Sequence, residues 1–242
     1  MTRNDSDWLH SYFSASSRDL TPVSVRHAAQ LLYVPVSHDL DVTKRCASVL
    51  SDSEFRCAER FSTQNNRALF KQRRAFRRFC GALALGSSLP LSHITFEETE
   101  KGQPYLSDLP SFSFSFSSCR LGFVGAWSSA CAIGIDLEEQ TKPLEAVELA
   151  RQFFSGAEAN TVKEVDDRER LRTFFQLWSL KEAALKSIGE GLPFGLDAFE
   201  FELTPNLRVV HAPSGHGELE QFSAHLIEGA DSCAALVLRS QL

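Results

Sequence analysis

Two spacings of apolar residues alternate along the chain, and the changes between them mark its elements. Gln30-Leu-Leu-Tyr-Val-Pro-Val36 is a nearly unbroken apolar run and predicts a buried strand, with Pro35 at an edge or an end. After Asp39, Val42, Cys46, Val49 and Leu50 recur at helical spacing. Residues 65–85 predict a longer helix, striped by Leu69, Phe76, Phe79, Cys80 and Leu83 and stopped by Gly86. At 112–118 the period becomes two, placing Phe112, Phe114 and Phe116 on one face of a strand and serines on the other. Residues 94–97 predict a short strand, and Lys101-Gly-Gln-Pro104 a turn. A hairpin is expected from 122–128 and 130–138, then a helix opened by Pro143. Ser155-Gly-Ala-Glu158 has the form of a capping box for the next short helix. A second long helix spans 168–188 and ends at Gly189 and Gly191, and four strands within 199–238 read as an antiparallel meander. The polar first 25 residues are expected to form a loosely held arm.

Strand, short helices, long helix and further strands thus occur in that order twice. This predicts an α+β fold of two similar halves, 1–129 and 130–242, with a cleft between them. At 242 residues, 43% hydrophobic and 23% charged, the chain has enough apolar material for a core and is not disordered as a whole. It has no apolar run long enough for a bilayer and no signal-peptide core at its start, so a cytoplasmic protein is expected, without membrane contact. Six cysteines without a CxxC pair read as reduced thiols, neither a disulfide framework nor a zinc site. A net charge of −6 argues against general nucleic-acid binding.

Three patterns carry candidate chemistry. In Ile133-Gly-Ile-Asp136-Leu-Glu138 the strand period puts the isoleucines on one face and both carboxylates on the other. Two carboxylates there make half of a site for a hard divalent cation such as Mg²⁺, or equally a polar strand end. In Trp178-Ser-Leu-Lys181-Glu182-Ala-Ala-Leu-Lys186, Glu182 and Lys186 share a helix face beside Trp178, as a site or as a surface ion pair. On the first long helix Arg67, Lys71, Arg73, Arg74, Arg77 and Arg78 are interrupted by no acidic residue. Arg67, Lys71, Arg74 and Arg78 form one stripe, suited to a phosphate-rich ligand or an acidic protein, or simply a solvated face.

Taken together, Gly134-Ile-Asp136-Leu-Glu138 and the later Trp178-to-Lys186 segment resemble the signature of Sfp-type 4′-phosphopantetheinyl transferases. Lys101-Gly-Gln-Pro-Tyr-Leu, Arg151-Gln-Phe-Phe-Ser155 with Glu158, Ser115-Phe-Ser-Ser118 and Gly189-Glu-Gly-Leu192 extend the likeness over about 54–203. The resemblance implies two halves related by a pseudo-twofold axis, with the active site between them. The first half would bring the basic helix, with its coenzyme A and carrier-protein contacts, and the second the metal-binding carboxylates and the catalytic helix. The implied activity is Mg²⁺-dependent transfer of phosphopantetheine from coenzyme A to a serine of an acidic acyl or peptidyl carrier protein, releasing 3′,5′-ADP. Asp136, Glu138 and Glu182 would hold Mg²⁺; Asp136, Glu182 and Lys186 would be catalytic. Glu182 would act as the base, directly or through water, and Lys186 on the leaving phosphate. Arg67, Arg74, Lys101, Gly102, Gln103, Pro104, Ser117 and Ser118 would bind coenzyme A, in a chain expected to be monomeric.

The sequence departs from the family twice. Ser118 stands where a phosphate-contacting histidine is usual, and Gln103 where lysine is common. A charge-assisted hydrogen bond is worth about 1.5–3 kcal/mol, so two losses weaken coenzyme A binding well over tenfold unless compensated. A catalytically weakened homologue that binds carrier protein or acyl-coenzyme A is therefore the alternative. An adaptor for nucleic acid or acidic proteins, built on the arginine stripe, is a third reading.

Overall fold

A computed structural model describes residues 3–87, 89–141 and 143–240. The first half carries α1 (Arg3–Ser16), β1 (Arg18–Asp19), β2 (Gln30–Pro35), α2 (Leu40–Ser48), α3 (Asp52–Glu59) and α4 (Gln64–Leu85). Four strands follow, β3 (Glu97–Glu98), β4 (Pro104–Tyr105), β5 (Ser113–Ser118) and β6 (Gly122–Ser128). The second half carries β7 (Cys131–Glu139), α5 (Ala146–Phe153), α6 (Gly156–Glu164), α7 (Asp167–Ser187), β8 (Glu200–Glu202), β9 (Arg208–His211), β10 (Phe222–Glu228) and β11 (Ser232–Ser240). The architecture is α+β: an antiparallel sheet ordered β1-β2-β6-β5, another ordered β10-β11-β7, and the small pairs β3-β4 and β8-β9.

Local chemistry sets the helix ends. Asp39 caps α2, Thr63 caps α4, and Gly86 takes the left-handed conformation that stops α4 (φ 58°). Ser155 and Glu158 form the expected capping box, and Ser51 with Glu54 forms a second one that opens α3. The N-terminal segment is not a loose arm. It forms α1, whose Leu9 and Phe13 are buried against Phe76 and Phe79 of α4, because Trp8, Leu9, Tyr12 and Phe13 make an apolar stripe among polar neighbours. Leu83, placed in the α4 stripe by spacing, is exposed.

Two strand pairings differ from those expected. β6 and β7 are consecutive but belong to different sheets. The Ser128 hydroxyl donates to the Ala28 carbonyl and accepts from the Ala130 and Cys131 amides, a bend that carries the chain from one sheet to the other. The last four strands are two hairpins rather than one meander, and only β11 of these joins β7. Among the described residues no helix is long and apolar enough to cross a membrane, and all six cysteines are free thiols, four of them buried.

Three cores hold these layers. One fills the space between α1, α2, α4 and the first sheet, and one lies beneath α7 on the second sheet. The third joins the halves: Leu31, Val124 and Ala126 of the first sheet meet Ile133, Ile135, Leu137, Leu236 and Leu238 of the second. Odd residues of β7 therefore face the partner sheet, and even residues face α7. Gly134 is the point of closest approach, where a Cβ would overlap the Ala183 carbonyl oxygen and press on the Ser187 amide. Deeper along α7, fully buried Lys181 donates to the Leu196 and Phe199 carbonyls and pairs with Glu158 at 2.6 Å. Glu158 also accepts from the Ser155 and Phe201 amides, so the pair anchors α6, α7 and β8 together. Burial lowers the pKa of Lys181, and the Glu158 charge opposes that shift.

The Gly134 contact predicts that Gly134→Ala destabilises the fold by about 1–3 kcal/mol, because backbone has to give way. Gly156→Ala, in open space within α6, is the control and should be neutral or stabilising. Urea unfolding of both variants measures the difference.

Candidate active site

With α7 seated on Gly134, the even face of β7 presents Asp136 to the helix that carries Glu182 and Lys186, while Glu138, half-buried, follows two residues further along the strand, near Cys119. Lys186 Nζ donates to Asp136 Oδ1 at 2.7 Å and to the Ile135 carbonyl at 3.1 Å. The Ser117 hydroxyl, from β5 in the other half, donates to the same Oδ1 at 2.9 Å. Asp136 is only 4% exposed, and its second oxygen, Oδ2, is buried without a hydrogen-bond partner. Glu182 is half-buried, and its carboxyl is pushed above the usual 4.5. Burial is the main cause; Lys186 opposes it, and Asp136 adds repulsion. Trp178 turns away into a ring cluster with Phe153, Phe154 and Phe174, fixing the rotation of α7.

Among the described residues, no group of three His, Cys, Asp or Glu is drawn together as a ready-made ion cage. The donors nevertheless fit a hard cation. The groups on offer are carboxylate oxygens, and the buried, unpartnered Asp136 Oδ2 lacks the positive partner that such an acceptor requires.

A cleft of about 200 Å³ adjoins Lys186, walled by the Lys101–Pro104 turn, Arg77, Phe116 and the Gly189–Gly191 segment. Lys101 and Glu190 form an ion pair across the halves. Gly102 and Gly189 both adopt positive φ (83° and 73°), and a Cβ on Gly189 would crowd the Gln103 amide oxygen. The expected turn residues Lys101, Gly102, Gln103 and Pro104 therefore all line the cleft together with Lys186.

The arginine assignments shift. Arg67 binds the Phe61 carbonyl and Glu59, Arg74 lies against Glu54 and Glu98, and neither lines the cleft. Arg77 does. It is stacked over Phe116 and paired with Glu98 at 3.2 Å, its Nε is buried without a partner, and burial beside Arg74 and Arg73 lowers its pKa to about 10. Lys71 pairs with Glu59, and Arg78 makes a two-pronged bond to Glu54, so the stripe is largely neutralised from α3 and β3. Among the described residues, only Arg73 of the six cations has no carboxylate within 4 Å. It lines a second cavity of about 380 Å³ with Asn66, Phe70, Ser118 and Arg120. Ser117 and Ser118 thus part company: Ser117 turns to Asp136 and Ser118 to the Arg73 cavity. The strand period of two is the signal that separates them.

Residues 132–237 match the profile of the 4′-phosphopantetheinyl transferase superfamily. The chain is 36% identical over 129 residues to 4′-phosphopantetheinyl transferase Sfp of Bacillus subtilis, covering 53% of this chain and 56% of that protein. It is 37% identical over 117 residues to 4′-phosphopantetheinyl transferase psf-1 of Bacillus pumilus, covering 48% and 49%. Likeness extends to the human L-aminoadipate-semialdehyde dehydrogenase-phosphopantetheinyl transferase, 31% identical over 129 residues, covering 49% and 42%. The chain thus spans about half the length of the relatives it matches. Among solved structures, a holo-[acyl-carrier-protein] synthase of Thermotoga maritima aligns with a TM-score of 0.40 at 19% identity, over 46% of this chain and 65% of that one. The matched segment, which contains Asp136, Glu138, Glu182 and Lys186, is thus similar to the 4′-phosphopantetheinyl transferase superfamily, and Sfp and psf-1 are among the relatives the chain resembles.

Proposed function

We propose that the protein transfers the 4′-phosphopantetheine arm of coenzyme A to a serine of an acyl or peptidyl carrier protein, in an Mg²⁺-dependent reaction that releases 3′,5′-ADP. The observation that carries this reading is Lys186, which lines a cleft with Arg77 and the Lys101 turn while it is hydrogen-bonded to Asp136 and electrostatically coupled to Glu182. Cations lining the cleft, with carboxylates next to Lys186, suit a pyrophosphate held against a metal. Phosphoryl transfer asks the protein mainly for positioning and charge neutralisation.

In the reaction the carrier serine oxygen bonds to the phosphorus of the phosphopantetheine group, and the bridging P–O bond of the pyrophosphate breaks. Glu182, directly or through water, accepts the serine proton; its raised pKa makes it a better base than an ordinary carboxylate. Lys186 leaves Asp136 to neutralise or protonate the departing phosphate. Arg77, with Arg73 on the next turn of α4, holds phosphate oxygens in place of the missing histidine and lysine. Asp136, Glu138 and Glu182 are the residues to hold Mg²⁺, which when bound neutralises pyrophosphate charge. In this reading the halves 1–129 and 130–242 supply the phosphate-gripping and the carboxylate walls. The enzyme acts as a cytoplasmic monomer on an acidic carrier domain.

Incubating the protein with apo-carrier protein, coenzyme A and Mg²⁺ should add the mass of phosphopantetheine to the carrier, read by intact-mass spectrometry. Asp136→Ala should abolish the gain, and Arg77→Ala should raise the KM for coenzyme A roughly tenfold or more. No gain across fatty-acid, polyketide and peptide-synthetase carriers, with coenzyme A still bound, would favour the weakened homologue instead.

The same carboxylate predicts a stability effect. Glu182 binds its proton more tightly in the folded chain than in the unfolded one, so its contribution to stability falls as pH rises from about 4.5 through the folded value. Glu182→Gln should therefore lose transfer yet unfold at a higher denaturant concentration than wild type at pH 8, an advantage that shrinks toward pH 4.

A further inference from the structure

β5 and β7 are the facing edge strands of the two sheets, and they run side by side without a backbone ladder. Serine hydroxyls bridge them: Ser113 Oγ accepts from the Ile133 amide at 3.1 Å and Ser115 Oγ from the Ile135 amide at 3.0 Å. The constant offset of twenty residues would bring Ser117 to residue 137. Instead its hydroxyl leaves the backbone and donates to the Asp136 carboxylate. The first two serines are seam contacts; the third acts on a site residue from the opposite half of the chain.

We propose that Ser117 is a positioning residue for a divalent-cation site: by holding Asp136 Oδ1 it fixes the carboxylate so that Oδ2 is the oxygen offered to the metal. This inference rests on the transferase reading above. Oδ1 has two donors, Ser117 and Lys186, whereas Oδ2 is buried with none. The two donors differ in kind. Lys186 is a flexible ammonium, about 29% exposed beside the cleft, and it is the group that turns to an incoming phosphate. Once it does so, Ser117 is the remaining hydrogen bond to Oδ1. A hydroxyl on a strand keyed by two further serines cannot follow the substrate, so Asp136 keeps its orientation through the reaction. Ser117 is thereby a support for the metal ligand.

The test is calorimetric titration of Mg²⁺ into the folded protein, with and without coenzyme A, run beside the mass assay for transfer. Ser117→Ala should weaken Mg²⁺ binding by roughly 10–100-fold and raise the Mg²⁺ concentration needed for half-maximal transfer. Ser117→Thr, which keeps the hydroxyl, should restore both. Ser113→Ala, which removes a seam contact alone, should lower the melting temperature while leaving Mg²⁺ affinity within about twofold of wild type. An unchanged Mg²⁺ affinity in Ser117→Ala, or an equal loss in Ser113→Ala, overturns the proposal even if wild type transfers. Wild type that binds Mg²⁺ with the predicted dependence on Ser117 but modifies no carrier leaves the positioning intact and sinks the transferase reading. Wild type that binds no Mg²⁺ overturns the positioning.

Discussion

A side chain at position 134 would occupy the space held by the Ala183 carbonyl oxygen, and the chemistry of the chain depends on that space being empty. Because β7 carries hydrogen there, α7 can lie directly on the strand. That distance brings Lys186, one turn beyond the contact, within 2.7 Å of Asp136. Had the helix ridden higher on an alanine or valine, the ion pair and the electrostatic coupling of Glu182 to Asp136 would both be stretched. Glycine in the middle of a strand ordinarily weakens it. Here burial on both faces of β7 and full pairing with β11 offset the loss.

The same placement explains why two carboxylates on one protein behave differently. Asp136 receives a serine and a lysine on one oxygen, whereas burial works against the charge of Glu182, with Lys186 opposing that effect and Asp136 adding to it. The site is therefore electrostatically incomplete in the protein alone. A cation is the natural complement to the unsatisfied oxygen, and a phosphate to Lys186 and to the strongly desolvated Arg77. A protein stabilised for its own sake would have filled these positions with apolar groups.

Much of this was legible in the sequence wherever the signal is local. The two long helices, the Ser155–Glu158 capping box and the in–out alternation around Asp136 depend on spacing within one element, and spacing is written along the chain. What failed were contacts between elements. Glu54, Glu59 and Glu98 neutralise the arginine stripe from a neighbouring helix and a distant strand, so an unmixed basic face in one helix became a set of ion pairs. The hairpin expected at 122–138 failed for a related reason. Hydrophobic alternation identifies strands but not partners, and the choice was made by the Ser128 hydroxyl bending the chain back to Ala28. α1 is hard to see in the sequence because its stripe is narrow and flanked by Arg, Asp and Ser, although Phe13 packs closely on α4.

The serine-bridged seam has a consequence for the behaviour of the protein at high concentration. Each sheet ends in a strand with an unpaired edge, the kind of surface that recruits strands from other molecules into aggregates. By setting those two edges against each other, the fold hides both at once. Hydroxyls occupy the amides of Ile133 and Ile135 that a foreign strand would otherwise pair with. The cleft beside Lys186 can then open next to this seam without exposing a sticky flank.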